Sequence, residues 1–275
     1  MHPHQTTDLE RSSRFARRDL LRLGLAGGGA LAATPFLGRL AGAPEGVTLQ
    51  GSSGGVISGD APTDPPKFPH FSQPLAIPQP LTGTLRSDGR TYFKLTQYEK
   101  ELQVLPKPFP PTRLMTFNGT VPGPTIRQTR NGSISVVENV NALPKGNPYS
   151  THLHGSPSQP FYDGHPEDLT PVGAKKTYIY PNQETARTLW YHDHALHQTA
   201  DHVYRGLAGF FLNDPDPNDP DAGAVAALPS GRYDIPLMLG DLQFTPQGRL
   251  FFDDHGEDSL WGNVVLVNGV PWPFL

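Results

Sequence analysis

The chain has 275 residues, with 22 Lys and Arg against 26 Asp and Glu, for a formal net charge of −4. That length allows one large or two ordinary domains, and that charge leaves no electrostatic case for a nucleic-acid partner. Thirty-one prolines and twenty-nine glycines break up helices and suit short strands joined by turns, and the lack of any cysteine excludes disulfides and thiolate ligands from these residues.

At the N-terminus, Arg17-Arg18 precede a Leu/Ala/Gly-rich run from Leu20 to Ala33, and Ala41-Gly42-Ala43 reads as a small-residue cleavage site. Residues 1–43 therefore read as a twin-arginine-type secretion signal, which predicts export to the periplasm or the extracellular space. Arg22 and the glycines interrupt the run too often for a stable membrane span. Residues 44–67 are rich in Gly, Ser, Pro and Asp and read as a disordered linker. From Phe68 to Pro80 prolines alternate with Phe, Leu and Ile, the pattern of an extended arm lying across a domain.

Strand signals then follow in close succession. They cover Thr91 to Tyr98, Arg113 to Phe117 with its Asn118-Gly119 turn, Thr125 to Arg127 after a Val121-Pro122-Gly123-Pro124 corner, and Ser133 to Val140. Thr151 to His154, Lys176 to Tyr180, Thr188 to His194 and Leu207 to Leu212 continue the series, with a helical pattern only over Ala195 to Tyr204. Residues 68–215 thus predict an all-β Greek-key sandwich or barrel. Asn213 to Pro220 marks a boundary, and 216–232 reads as a linker. A new β pattern starts at Tyr233 to Leu239 and resumes at Asn263 to Val267. Residues 233–275 fall well short of a sandwich domain of about 100 residues, so an incomplete second domain with an unpaired edge and an uncovered apolar face is expected.

The chemistry concentrates in two His-x-His triplets, Thr151-His152-Leu153-His154-Gly155 and Trp190-Tyr191-His192-Asp193-His194. In a strand, residues i and i+2 share a face about 7 Å apart, so two adjacent strands would gather four imidazoles. Nitrogen-only ligands suit copper, zinc, iron or nickel. Seven of the eleven histidines lie between His152 and His202, a density that a merely polar strand face does not require. His165, His197 and His202 read as surface or supporting residues.

These two triplets resemble the first two copper motifs of the multicopper oxidases, in the branch of the bilirubin oxidases and spore-coat laccases. Phe117-Asn118-Gly119-Thr120-Val121-Pro122-Gly123-Pro124, Tyr180-Pro181-Asn182-Gln183, Gly206-Leu207-Ala208-Gly209-Phe210 and Val267-Asn268-Gly269 are similar to that branch as well. The resemblance runs from about residue 68 onward. It implies cupredoxin domains and a trinuclear copper cluster to which this chain brings half the ligands. His152 then corresponds to the type 2 copper ligand, and His154, His192 and His194 to ligands of the type 3 pair. Asp163 resembles the acidic residue that delivers protons during dioxygen reduction, although Asp163-Gly164 is also an ordinary turn pair. Asp193 faces the opposite side of its strand and reads as structural.

The family's two further motifs, His-x-x-His-x-His and one built on His-Cys-His, do not occur here. Without a cysteine the type 1 blue copper, through which electrons enter, cannot form from these residues. The resemblance therefore implies an oxidase that takes single electrons from phenols, pigments or metal ions and reduces dioxygen to water, its remaining cupredoxin domains supplied in cis or in trans. The alternative is a non-catalytic periplasmic copper-binding or scaffold cupredoxin protein. A zinc hydrolase is disfavoured, because no helical His-Glu-x-x-His or Cys-x-x-Cys pattern is present.

Overall fold

The computed structural model describes residues 64–220, 222–253 and 261–275. The secretion-signal reading of residues 1–43 and most of the linker over 44–67 lie outside the described residues. Thirteen strands among the described residues form three sheets.

The first sheet holds β1 (Thr84–Leu85), β2 (Thr91–Leu102), β3 (Thr112–Phe117), β5 (Ser135–Asn141) and β7 (Lys175–Tyr180). The long β2 works twice. Its first half pairs in parallel with β5 from Thr91↔Ser135 to Gln97↔Asn141, and its second half pairs antiparallel with β3. The second sheet runs β4 (Gly123–Thr129), β9 (Ala208–Asp214), β8 (Arg187–Asp193) and β6 (Thr151–His154). Between the two sheets lie Phe93, Leu95, Val137, Tyr178 and Tyr180 from the first, facing Ile126, Leu153, Leu189, Tyr191 and Phe211 from the second. Their alternation along each strand is the period of two that buries one face. The observed sandwich is the all-β architecture expected from the strand pattern. A short helix, Thr199–Tyr204, occupies only the second half of the Ala195–Tyr204 segment.

Close approach of backbone depends on two glycines. A Cβ on Gly209 would run into the Tyr191 ring and one on Gly123 into its hydroxyl, which donates to the Pro124 carbonyl at 2.6 Å. Tyr191 therefore clamps the β4–β9 pair from within the core.

The third sheet runs β11 (Leu250–Phe251), β10 (Leu239–Phe244), β12 (Val264–Val267) and β13 (Val270–Pro271). Its first strand begins at Leu239, where the Tyr233–Leu239 pattern ends. Residues 231–233 instead make a single 3-10 turn, and Pro236 interrupts the stretch between it and the strand. The expected uncovered apolar face is also corrected on one side. Phe244, Leu250, Val264 and Leu266 share a core with Val104, Leu105 and Leu114, closed by Phe68, Phe109 and Tyr204. On the opposite side Leu239 remains 72% and Val265 44% exposed.

The Phe68–Pro80 arm is extended, as its prolines predict. Phe71 N–H donates to the Trp272 carbonyl, Phe274 N–H donates to the Gln73 carbonyl, and Pro80 bridges Thr125. The arm thus ties the second sheet to the third. No helix among the described residues is long and apolar enough to cross a membrane.

Candidate metal centre

β6 and β8 pair antiparallel with His152 directly opposite His192 and His154 opposite Trp190. Thr151, Leu153, Leu189, Tyr191 and Asp193 point into the sandwich and are buried. The intervening positions, His152, His154, Trp190 and His192, consequently stand together on the outer face. His194 follows the last residue of β8 and is held by its backbone N–H donating to the Ser150 carbonyl at 2.6 Å.

The His152 ring packs edge-to-face against the other three. The His152 centroid lies 5.5 Å from that of His154, 5.4 Å from His192 and 5.4 Å from His194. One nitrogen from each of His152, His154 and His192 falls within 4.8 Å of the others, close enough to share an ion. His194 stands outside that trio, with its ring 5.7 Å from His192. Trp190 stacks on both strands' histidines, at 4.1 Å from His192 and 5.2 Å from His154. The same indole lines an apolar cavity of about 530 Å³ with Thr188, Phe210, Leu239 and Leu266.

Hydrogen bonds decide which nitrogen each ring offers. The Nδ1–H of His152 donates to the Asp163 carbonyl at 2.6 Å, and that of His192 donates to the Asp193 carbonyl at 2.7 Å. Each ring then presents Nε2 as its free lone pair, the arrangement in which a metal-ligating imidazole is fixed by its other nitrogen. The His192 Nε2 and the His194 Nδ1 are buried with no hydrogen-bond partner. A buried polar atom without a partner costs about 1–3 kcal/mol, so these lone pairs fit a bound metal. Burial, reinforced by the neighbouring His152, His194 and His154, pushes His192 down to about 4, opposed only by its bond to the Asp193 carbonyl. The neutral form is the one that ligates.

Asp163 sits in the turn after a 3-10 segment, and its carboxylate lies 3.5 Å from the His152 Nδ1. Gly164, with φ of +75°, lets this turn press against β6, since any Cβ there would collide with the Thr151 carbonyl. The sequence pair Asp163-Gly164 is therefore both a turn and a contact to the cluster.

Of the remaining histidines, His165 and His197 are exposed. His202 is not a surface residue: it is 1% exposed, with Nδ1 3.0 Å from the Asp193 carboxylate. No sequence spacing marks that contact. Trp190 is the other participant that sequence reasoning left unassigned, although its place two residues before His192 puts it on the same face.

Residues 100–217 match the family model described as multicopper oxidase. The chain carries a multicopper oxidase domain. It is 42% identical over 220 residues to a bilirubin oxidase of Albifimbria verrucaria, an alignment covering 76% of this chain and 36% of that protein. A laccase of Bacillus subtilis (strain 168) is 32% identical over 246 residues, covering 74% and 46%. Among solved structures, a multicopper oxidase from the hyperthermophile Aquifex aeolicus superposes with a TM-score of 0.62 at 29% identity, covering 73% of this chain and 42% of that one. The multicopper oxidase chain thus spans between a third and a half of the length of these relatives. Its sandwich is the cupredoxin fold of its structural neighbours, and membership of a copper family agrees with the imidazole cluster on its β6–β8 face.

Proposed function

We propose that His152, His154, His192 and His194 bind copper as half of the ligand set of a trinuclear centre in a laccase- or bilirubin-oxidase-like enzyme. The observation that carries this reading is the cluster itself, three imidazoles on one sheet face with the His194 ring beside them just past the strand end, and two buried nitrogens lacking any partner. His152 then serves the type 2 copper, and His154, His192 and His194 serve the type 3 pair. Four imidazoles are too few for three ions, and no residue of the chain is a cysteine. The other ligands and the electron-accepting type 1 copper come from further cupredoxin domains, in cis or in trans. Bound copper supplies the one-electron chemistry that couples oxidation of a phenol, a pigment or a metal ion to reduction of dioxygen to water.

The chain's own residues prepare that site. The carbonyl of Asp163 orients the His152 ring, and its half-exposed carboxylate, 3.5 Å from Nδ1, is placed to hold a proton between solvent and the cluster. Trp190 stacks on one face of His154 and of His192, while His154 itself stays exposed. The twin-arginine-type N-terminus supports export to the periplasm or beyond.

Copper titration followed by calorimetry and electron paramagnetic resonance tests the ligand assignment. Wild type should bind copper, and His152→Ala and His194→Ala should each bind it more weakly; unchanged affinity in both would sink the reading. The alternative, a copper-binding scaffold without turnover, keeps the same ligands. Dioxygen uptake with a phenolic reductant, measured with the remaining cupredoxin domains present, separates the two.

A further inference from the structure

The β6–β8 ladder ends at the pair Thr151↔Asp193, beside the histidines it has to align. Beyond that point one backbone bond, His194 N–H to the Ser150 carbonyl, continues the pairing, and a side chain joins it. The Asp193 carboxylate is fully buried on the sandwich side and accepts three N–H groups. Ser150 N–H donates to Oδ1 at 3.0 Å, Ala195 N–H to Oδ2 at 3.1 Å, and His202 Nδ1–H to Oδ2 at 3.0 Å. Ser150 lies two residues before His152, and Ala195 immediately follows His194. One carboxylate therefore grips the backbone on both His-x-His segments at the end of the ladder, beside the last backbone bond from His194 N–H to the Ser150 carbonyl.

His202 comes from the short helix, held by its own N–H on the Gln198 carbonyl at 2.9 Å, with Leu207 N–H donating back to the His202 carbonyl. Its far nitrogen, Nε2, lies 3.3 Å from Asn147 Oδ1, whose amide is fixed by donating to the Pro144 carbonyl at 2.9 Å. A buried carboxylate is tolerated when charge-assisted hydrogen bonds satisfy it, and those bonds are the stronger, more directional kind. Asp193 has no freedom left once His202 is in place.

We propose that His202 is a positioning residue for the metal centre. It touches no ligand, and it fixes the Asp193 carboxylate that sets the spacing of His152 against His192 and His194. This rests on the four-imidazole reading above. Removing a group that supports metal ligands from behind typically costs about 10–100-fold in metal affinity.

The test uses the full chain and copper(II) alone. His202→Leu should keep a native circular dichroism spectrum, lose about 10–100-fold in copper affinity, and give a broadened, mixed paramagnetic resonance spectrum. His202→Asn, which restores an N–H donor at the Nδ1 position, should recover most of that loss. Wild-type affinity and spectrum in folded His202→Leu would overturn the proposal. If His202→Leu does not fold, His202→Asn and His202→Gln decide: Gln displaces the donor, so weaker binding by Gln supports the proposal and equal binding overturns it. A wild-type chain that binds no copper overturns the four-imidazole reading instead. Amide exchange at Ser150 and Ala195 in the metal-free chain then still reads this inference, supporting it if protection falls in the His202 variants and overturning it if protection is unchanged.

Discussion

Acid should destabilise the metal-free protein through His192, and the size of the effect follows from its surroundings. The folded imidazole is held at about 4 against an ordinary 6.5, chiefly by burial. At about 1.4 kcal/mol per unit, that difference is roughly 3 kcal/mol of linked stability. The sign follows from proton counts. Between pH 6.5 and about 4 the unfolded chain carries the extra proton, so stability rises with pH across that window. The contribution is complete above pH 6.5 and lost once the pH falls through the folded value. Urea unfolding at a series of pH values, with a chelator present throughout, measures the slope, and His192→Gln removes the group responsible. The variant should show a flatter profile between pH 4 and 6.5 than wild type. Equal slopes in the two proteins would refute the assignment of the acid sensitivity to this imidazole.

Copper should stabilise the folded chain by mass action, by about 2.7 kcal/mol at a hundredfold excess over its dissociation constant; a thermal melt should show the gain and a chelator should reverse it. Gly164→Ala forces a side chain into a left-handed position facing the Thr151 carbonyl, which should cost about 1–3 kcal/mol and weaken copper binding as the Asp163 turn leaves His152. Thermal denaturation and calorimetry read the two effects. Phe244→Ala empties the core shared by the third sheet and residues 104–114, and denaturant unfolding should show a loss of about 3–5 kcal/mol. Copper affinity in that variant should stay near wild type, because Phe244 belongs to a different sheet and a different core from the strands that carry the imidazoles.

The share of this protein that is legible in the sequence depends on the range of the interaction concerned. A period of two is local, so the His-x-His triplets disclose that each pair of imidazoles shares a face, and the β-prone runs disclose the strands. The glycine after Asp163 discloses a turn, since few residues tolerate its backbone. Even the Phe68–Pro80 arm is readable, because proline leaves the chain little but an extended path. Local pattern failed around the second β region, where the strand starts only at Leu239 after Pro236 has broken the Tyr233–Leu239 stretch, and a short helix, Ala222–Ala226, lies inside the expected linker.

Only the tertiary structure decides what stands opposite what. The register that sets His152 against His192, and not one residue away, comes from two sheets burying Leu153, Leu189 and Tyr191 together; a slip of one would turn every imidazole into the core. Burial of His202 against Asp193 joins a helix to a strand end nine residues away, with no periodicity to announce it. The covered face of the third sheet likewise depends on Val104, Leu105 and Leu114, more than a hundred residues earlier in the chain. Side-chain chemistry and local backbone preference are written residue by residue, whereas burial and pairing belong to the packed whole.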